Sequence, residues 1–379
     1  MSGMLERHNA DAPLPLAGRR VAIIGGGVGG LAAAVRLSQQ GWLVKVFERE
    51  VSRKRVGHSF ILAGAGLKAL MQLGLGDAAA SCGSPLRAYE LFAPDGTRLL
   101  TTALSSARGI RRKELLDVLE AAVPPGVVEL GRAVDALEYD ADGVARAVRF
   151  TEGSSHEADL FLAADGTRSP TRAQLFPEAR LTDVQVKELV CHVEDRALAD
   201  LLGPVFRKYQ CPQGGRSLGM LPSADGVIVW FVQLDVGRWP GSIVGAAAIE
   251  AIVRREFGAW GGLVGRLLDA TDFRESHTWT TADMDPLPAL YRRNVALVGD
   301  AAHAFLPFTS HGVSAALVDS LALGDCLSAA EGCIETGLAA YSRARGPDIA
   351  RVVAAGRTLR DRFLYPKRFT DEPAVPLVQ

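Results

Sequence analysis

Gly25-x-Gly27-x-x-Gly30 lies between an apolar run, Val21-Ala22-Ile23-Ile24, and a helical stretch at residues 31–40. Glycines at that spacing, where a buried strand turns into a helix, suit a pyrophosphate. The first permits the tight turn, the second lets backbone approach the phosphates, and the third lets the helix pack on the strand. Val28 and Gly29 complete the loop, and the free N–H groups and positive dipole end of the helix favour an anion. Glu48 follows 18 residues beyond Gly30, at the end of a second strand, where a carboxylate can accept from a ribose diol. Arg49, next to it, joins the same cofactor-binding set. This pattern specifies a dinucleotide without separating NAD from FAD.

Two further Gly/Asp pairs bear on that choice. Asp165-Gly166 ends the apolar stretch 160–164, and Gly299-Asp300 ends the stretch 294–298. An Asp at the carboxyl end of a buried strand, followed by small residues, is free to accept from a sugar or ribityl hydroxyl. The segment Leu162-Ala163-Ala164-Asp165-Gly166-Thr167-Arg168-Ser169-Pro170 resembles the DG motif of the flavin-dependent aromatic hydroxylases, the para-hydroxybenzoate hydroxylase family. Asn294 to His303, with Pro307 and Gly312 downstream, resembles that family's GD motif, and Arg112-Lys113-Glu114-Leu115 resembles its R-x-x-L element. The order and spacing match over about residues 19–360. The resemblance implies FAD, with Asp300 on the ribityl chain and Asp165 holding the loop that a nicotinamide nucleotide approaches. It also implies Arg112 at the pyrophosphate or ribityl side, Arg55 near the flavin, and Pro307, Gly312 and Val313 at the start of a helix facing the flavin's pyrimidine side. By the same resemblance, NAD(P)H reduces the flavin, O2 forms a C4a-hydroperoxide, and one oxygen passes to an aromatic or other electron-rich small molecule.

The chain also departs from the family. Its usual P-x-x-G-Q-G-x-N segment is here Pro307-Phe308-Thr309-Ser310-His311-Gly312-Val313-Ser314. His311 therefore becomes a candidate catalytic imidazole near the reacting position, as does His58, which follows Gly57 where the family's chain passes the flavin ring. The tryptophan-rich W-x-W-x-I-P element of flavin halogenases is absent. A flavin oxidase, dehydrogenase or reductase on the same fold, or a non-catalytic flavin-binding scaffold, remains the alternative to a monooxygenase. No paired carboxylates, metal-ligand cluster or nucleophile–His set supports hydrolysis or metal catalysis.

These residues need elements to place them. The 379 residues suffice for about two domains. Apolar runs near residues 20, 45, 160 and 295 read as strands of a buried parallel sheet. Residues 127–130, 136–139 and 145–150 have the spacing of an antiparallel meander, and residues 89–100 form a hairpin turning at Pro94-Asp95-Gly96. The expected class is α/β: a Rossmann-like FAD-binding domain of the glutathione-reductase type, with a β-α-β unit and β-meander. An interleaved substrate domain on a mixed sheet and a C-terminal helical segment complete it. Expected boundaries are 18–75, 101–181 and 281–330 for the FAD-binding part, 76–100 and 182–280 for the substrate part, and 331–379 for the helical region. Tyr209, Met220, Trp230 and Gln233 are the expected substrate-lining residues of the substrate sheet.

Composition narrows the partners. Forty-two Lys+Arg against 43 Asp+Glu leaves a net charge of −1, so no basic field recruits nucleic acid. Residues 1–17 lack an apolar signal core, and the long uncharged stretch 301–318 holds Pro, Ser, Thr and His, which makes it a poor membrane span. Five dispersed cysteines argue against a disulfide framework. The expected setting is the cytoplasm.

Overall fold

Val21 to Ile24 are apolar without alternation, so they need cover on both faces, and in the computed structural model they form a central strand of a parallel sheet. The structure describes residues 16–52, 59–223 and 226–369. Along the chain, β1 (Arg20–Ile24), α1 (Val28–Gln39) and β2 (Leu43–Glu48) are followed by β3 (Ser59–Ala63), α2 (Gly64–Gln72) and α3 (Gly76–Ser81). Then come β4 (Ser84–Phe92), β5 (Arg98–Arg111), α4 (Arg112–Ala121) and β6 (Val128–Leu130). Three short strands, β7 (Val134–Tyr139), β8 (Ala145–Phe150) and β9 (Ser155–Glu157), lead to β10 (Leu160–Ala163) and α5 (Pro170–Leu175). The next block is β11 (Val186–Glu194), α6 (Arg196–Leu202), β12 (Val205–Gln210), β13 (Arg216–Pro222) and β14 (Val227–Asp235). After α7 (Ala246–Phe257), α8 (Gly262–Ala270) and β15 (His277–Thr281), the chain returns through β16 (Tyr291–Arg292) and β17 (Val295–Leu297). It ends in two long helices, α9 (Gly312–Ser328) and α10 (Ile334–Leu364).

The first sheet has the order β16-β17-β10-β1-β2-β6, so the four apolar runs near 20, 45, 160 and 295 lie side by side. Gly41, at φ +84, turns the chain out of α1 and into β2 through an N–H bond to Ser38 O. One expectation is corrected here. Residues 128–130 do not open the meander; β6 pairs in parallel with Val46–Glu48 at the sheet's edge, and the meander is β7-β8-β9. A three-residue strand carries too few alternations to tell a parallel edge from an antiparallel one.

The second sheet has eight strands in the order β15-β11-β14-β13-β12-β4-β5-β3. It takes in β3 and residues 101–111 of β5, beyond the 76–100 and 182–280 segments. The 14-residue β5 pairs with β4 from Arg98 to Gly109, with register shifts on the way, and with β3 on its other edge from Ala107 to Arg111. One face of this sheet is closed by α6, α7 and α8, whose Leu198, Val253, Phe257 and Leu267 pack with strand side chains into a separate core. The other face looks toward the first sheet's loops. Among the described residues, no helix is long and apolar enough to cross a membrane.

Candidate active site

The glycine loop shows three distinct steric roles. A Cβ on Gly25, which has φ +104, would stand 2.4 Å from Ala164 O, and one on Gly30 would stand 2.0 Å from Gly25 O. Those two glycines relieve clashes inside the protein. Gly27 does not: a Cβ there would meet nothing nearer than Arg112 Nη2 at 3.8 Å. Its bareness leaves room in the groove, as close approach of a phosphate requires. The first turn of α1 contains no acidic residue, so its N-terminal N–H groups and dipole present an uncompensated positive end.

Glu48 ends β2 with its carboxylate fixed by backbone. Oε2 accepts from Gly26 N–H at 2.8 Å and Oε1 from Glu50 N–H at 3.0 Å. Its remaining lone pairs border the same groove, which Arg49 also lines, its side chain largely exposed. The groove continues past Arg112, Ala164 and Asp165 toward Asp300. Asp165 Oδ2 accepts from Thr171 N–H at 3.2 Å, while its Oδ1 is buried without a hydrogen-bond partner. Buried polar atoms are normally satisfied, so this one is suited to a group arriving from outside the chain.

Arg172 ties the two Gly/Asp loops together. Its guanidinium donates to Thr167 O at 2.5 Å and to Asp300 O and Ala301 O at 3.3 and 3.1 Å. Asp300 is exposed to the groove and accepts from Thr167 Oγ1 at 3.1 Å. Beneath it, Asp319 on α9 accepts from Gly299 N–H at 3.0 Å and pairs with His303 and Arg345 at 2.6 and 2.7 Å. Burial raises the Asp319 pKa, but His303 and Arg345 outweigh that and hold it below the usual carboxylate range. Removing Arg345 would leave the buried Asp319 carboxylate short of its compensating charge.

α9 starts at Gly312 with His311 as its cap residue, and its first turn, like that of α1, contains no acid. Gly312 and Val313 border a cavity of about 320 Å³ that Asp300 and Pro307 also line, and Gly312 lies close enough to Asp300 that a Cβ would sit 3.9 Å from Oδ1. His311 lines the same cavity, its Nδ1 2.6 Å from Thr309 O. Burial lowers its pKa, with the Thr309 carbonyl opposing and Arg351 reinforcing. Ser310 has φ +53, so the left-handed backbone that favours glycine is retained in a serine. The expected residues Arg55 and His58 lie outside the described residues.

The roof of the cavity is the open face of the eight-stranded sheet. Of the four expected lining residues, only Gln233 is on it. Tyr209, Met220 and Trp230 are buried on the opposite face, packed against α7, α8 and neighbouring turns; Trp230, for example, meets Phe273 edge-on at 6.0 Å. Side chains alternate along a strand, so the cavity receives the odd positions of β14, Val229, Phe231 and Gln233, while Trp230 and Val232 point into the core. Phe206 and Lys208 on β12 and Glu188 on β11 also line it.

Sequence reasoning passed over Lys208 and Glu188. Burial pushes the Glu188 carboxyl up to about 6, opposed by Gln233 and Lys208, and pushes the Lys208 ammonium down to about 8, opposed by Glu188. The available signal was an adjacent charged pair inside each strand, Lys187-Glu188 in Val186–Glu194 and Arg207-Lys208 in Val205–Gln210, so that one charge of each pair must face the sheet's inner side.

The sequence profile of the FAD binding domain matches residues 19–355. The chain belongs to this family, the FAD-dependent aromatic hydroxylases. As a member it is an FAD-dependent oxidoreductase. It is 32% identical over 320 residues to a FAD-dependent urate hydroxylase of Klebsiella oxytoca, covering 80% of both chains. It is 31% identical over 366 residues to 3-amino-4-hydroxybenzoate 2-monooxygenase of Streptomyces cremeus, covering 92% of this chain and 88% of the relative. Its fold superposes on Klebsiella pneumoniae HpxO, solved with FAD and uric acid, with a TM-score of 0.83 at 28% identity, covering 90% and 88% of the chains.

Proposed function

We propose that the protein is an NAD(P)H-dependent FAD monooxygenase that inserts one atom of O2 into an aromatic or heteroaromatic small molecule. The carrying observation is the continuity of the site. A groove bordered by Glu48, Gly27, Arg112 and Asp165 runs to Asp300 and the N-terminus of α9, where it opens into a cavity roofed by Phe206, Leu221 and Phe231. An extended dinucleotide fits the first part and a flat ring fits the second. The ring-bearing substrates printed for the urate and aminohydroxybenzoate relatives support the same class.

In this reading FAD supplies the redox and oxygen-activating chemistry when bound. Glu48 would accept from the ribose, Gly27 and Arg112 would hold the pyrophosphate, Asp165 would order the loop, and Asp300 would accept from the ribityl chain. Gly312 and Val313, reached after Pro307, would offer backbone N–H groups and the α9 dipole to the flavin ring, where they would favour negative charge. The apolar roof keeps water from the reacting ring. The balance is NAD(P)H, a proton, O2 and the ring giving NAD(P)+, water and the hydroxylated ring. Five free cysteines suit a reducing compartment, and the cytoplasm supplies the reductant.

The test is anaerobic mixing of the yellow protein with NADH and with NADPH, followed by oxygen and product analysis across phenolic and heteroaromatic acids. Flavin bleaching followed by one hydroxylated product per NAD(P)H supports the proposal. Hydrogen peroxide without product would make it an oxidase, and no bleaching by either nucleotide would leave a scaffold. His311, through its imidazole at the cavity, adjusts how much oxygen reaches product. His311→Gln is expected to flatten the pH dependence of the product-to-NAD(P)H ratio below about pH 6.5, where imidazole titrates. An unchanged curve with every accepted substrate would remove His311 from the oxygen half-reaction.

A further inference from the structure

Glu188, Gln233, Ser217 and Lys208 form a polar row across the adjacent strands β11, β14, β13 and β12. Gln233 is the hub. Its Oε1 accepts from Lys208 Nζ and from Ser217 Oγ, each at 2.9 Å, and its Nε2 donates to Glu188 Oε1 at 2.6 Å. Glu188 is 6% exposed and Lys208 8%, so both charges are held away from bulk water. Apolar side chains would fill such a place at lower cost to stability. Gln233 engages one ammonium hydrogen of Lys208 and one carboxylate oxygen of Glu188. Lys208 Nζ also lies 5.6 and 6.0 Å from the ring centres of Phe308 and Phe363, and both charged residues line the cavity.

We propose that Lys208 and Glu188 determine which ring the cavity accepts: Lys208 takes an anionic oxygen, and Glu188 takes an N–H or O–H on the opposite side of the same ring. This rests on the cavity being the substrate site of the monooxygenase. The two charges are separated by two hydrogen bonds and the width of one amide, a span comparable with that between substituents across a six-membered ring. Phe206 and Phe231 beside the row offer apolar surface to the ring itself. The fixed Gln233 amide keeps the cation and the carboxylate from collapsing onto each other, so each keeps one direction open to a ligand. A ring with an oxyanion only, or a donor only, satisfies half of the row and leaves the other charge without its partner.

Three ligands separate the parts: 4-aminobenzoate has both groups, benzoate only the anion, and 4-aminobenzamide only the donor with a neutral head. Calorimetric titration of the FAD-bound protein is expected to show 4-aminobenzoate binding at least tenfold more tightly than either of the others. Lys208→Met is expected to erase the preference for acid over amide, and Lys208→Arg to keep it. Glu188→Met is expected to erase the preference for 4-aminobenzoate over benzoate while leaving the acid preference. Equal binding of the three ligands by the wild-type protein, or absence of binding by all, overturns the proposal whatever the variants do. So does an acid preference that survives in Lys208→Met. Reduction by NAD(P)H is measured on the same preparation. Reduction without ligand discrimination defeats the role of the pair alone, whereas discrimination without reduction defeats the monooxygenase reading and leaves the pair standing.

Discussion

The groove beside α1, proposed for the nucleotide, and the cavity under the eight-stranded sheet, proposed for the ring, adjoin at Gly27 and Arg112 but are built from different chemistry. In the groove the decisive contacts are backbone: the bare Gly27, the N-terminus of α1, and a Glu48 carboxylate clamped by two main-chain N–H groups. In the cavity they are side chains on one face of a sheet, with the other face committed to packing. A site made of backbone needs particular residue types at fixed spacing and leaves them in the sequence. A site made of strand side chains needs only that the right ones share a face, and any apolar strand offers two faces.

The strongest way to sharpen that contrast is to empty the packed face. Trp230→Ala is expected to lower unfolding free energy by about 3–5 kcal/mol in urea titration, as truncation of a fully buried aromatic does. FAD affinity should change little, since Trp230 reaches neither groove nor cavity. A loss of flavin at unchanged stability would erase the distinction between the two faces. Next in size is Gly27→Val. Because the protein itself leaves space at Gly27, this change should leave the fold stable while weakening FAD binding by roughly 100-fold, about 3 kcal/mol. Full flavin content in the purified variant would show that backbone approach at this loop does not hold the cofactor.

The cavity face can be probed through its own charge. Burial places the folded Glu188 pKa at about 6, above its ordinary 4.5. The fold therefore favours the protonated acid, and the wild type should lose stability as pH rises from about 4.5 through 6, by roughly 2 kcal/mol. Glu188→Gln has no such proton to lose. The difference between urea midpoints of the two proteins at pH 4.5 and pH 7 measures this, and parallel pH curves would contradict the buried charge. The smallest effect belongs to the loop between the regions. Ser310→Gly should stabilise by up to ~1 kcal/mol, because the φ of +53 suits glycine better than serine. A destabilised variant would mean that the serine side chain contributes more than its backbone costs.

Residue types and spacing carried the parallel sheet and the placing, at its strand ends, of the residues proposed to hold the nucleotide. The runs at β1, β10 and β17 are apolar on both faces, β2 interrupts its run with Lys45, and Gly25, Glu48, Asp165 and Asp300 sit close after or at the ends of those strands, with Gly27 and Gly30 at the helix start that follows. That information is local: a buried strand, a tight turn and a helix start each restrict the residues that can occupy them. Three decisions were left to tertiary structure. The strand 128–130 was assigned to the parallel sheet by its neighbour β2, and the eight-stranded sheet recruited β3 by its pairing with residues 107–111 of β5, across a long stretch of chain. The third was which face of β12, β13 and β14 met a cavity. Tyr209, Met220 and Trp230 are as apolar and aromatic as Phe206, Leu221 and Phe231, and one residue of register separates the two sets. Only the docking of α7 and α8 on one face, and of the α9 loop opposite the other, decided which set packs and which set lines the site.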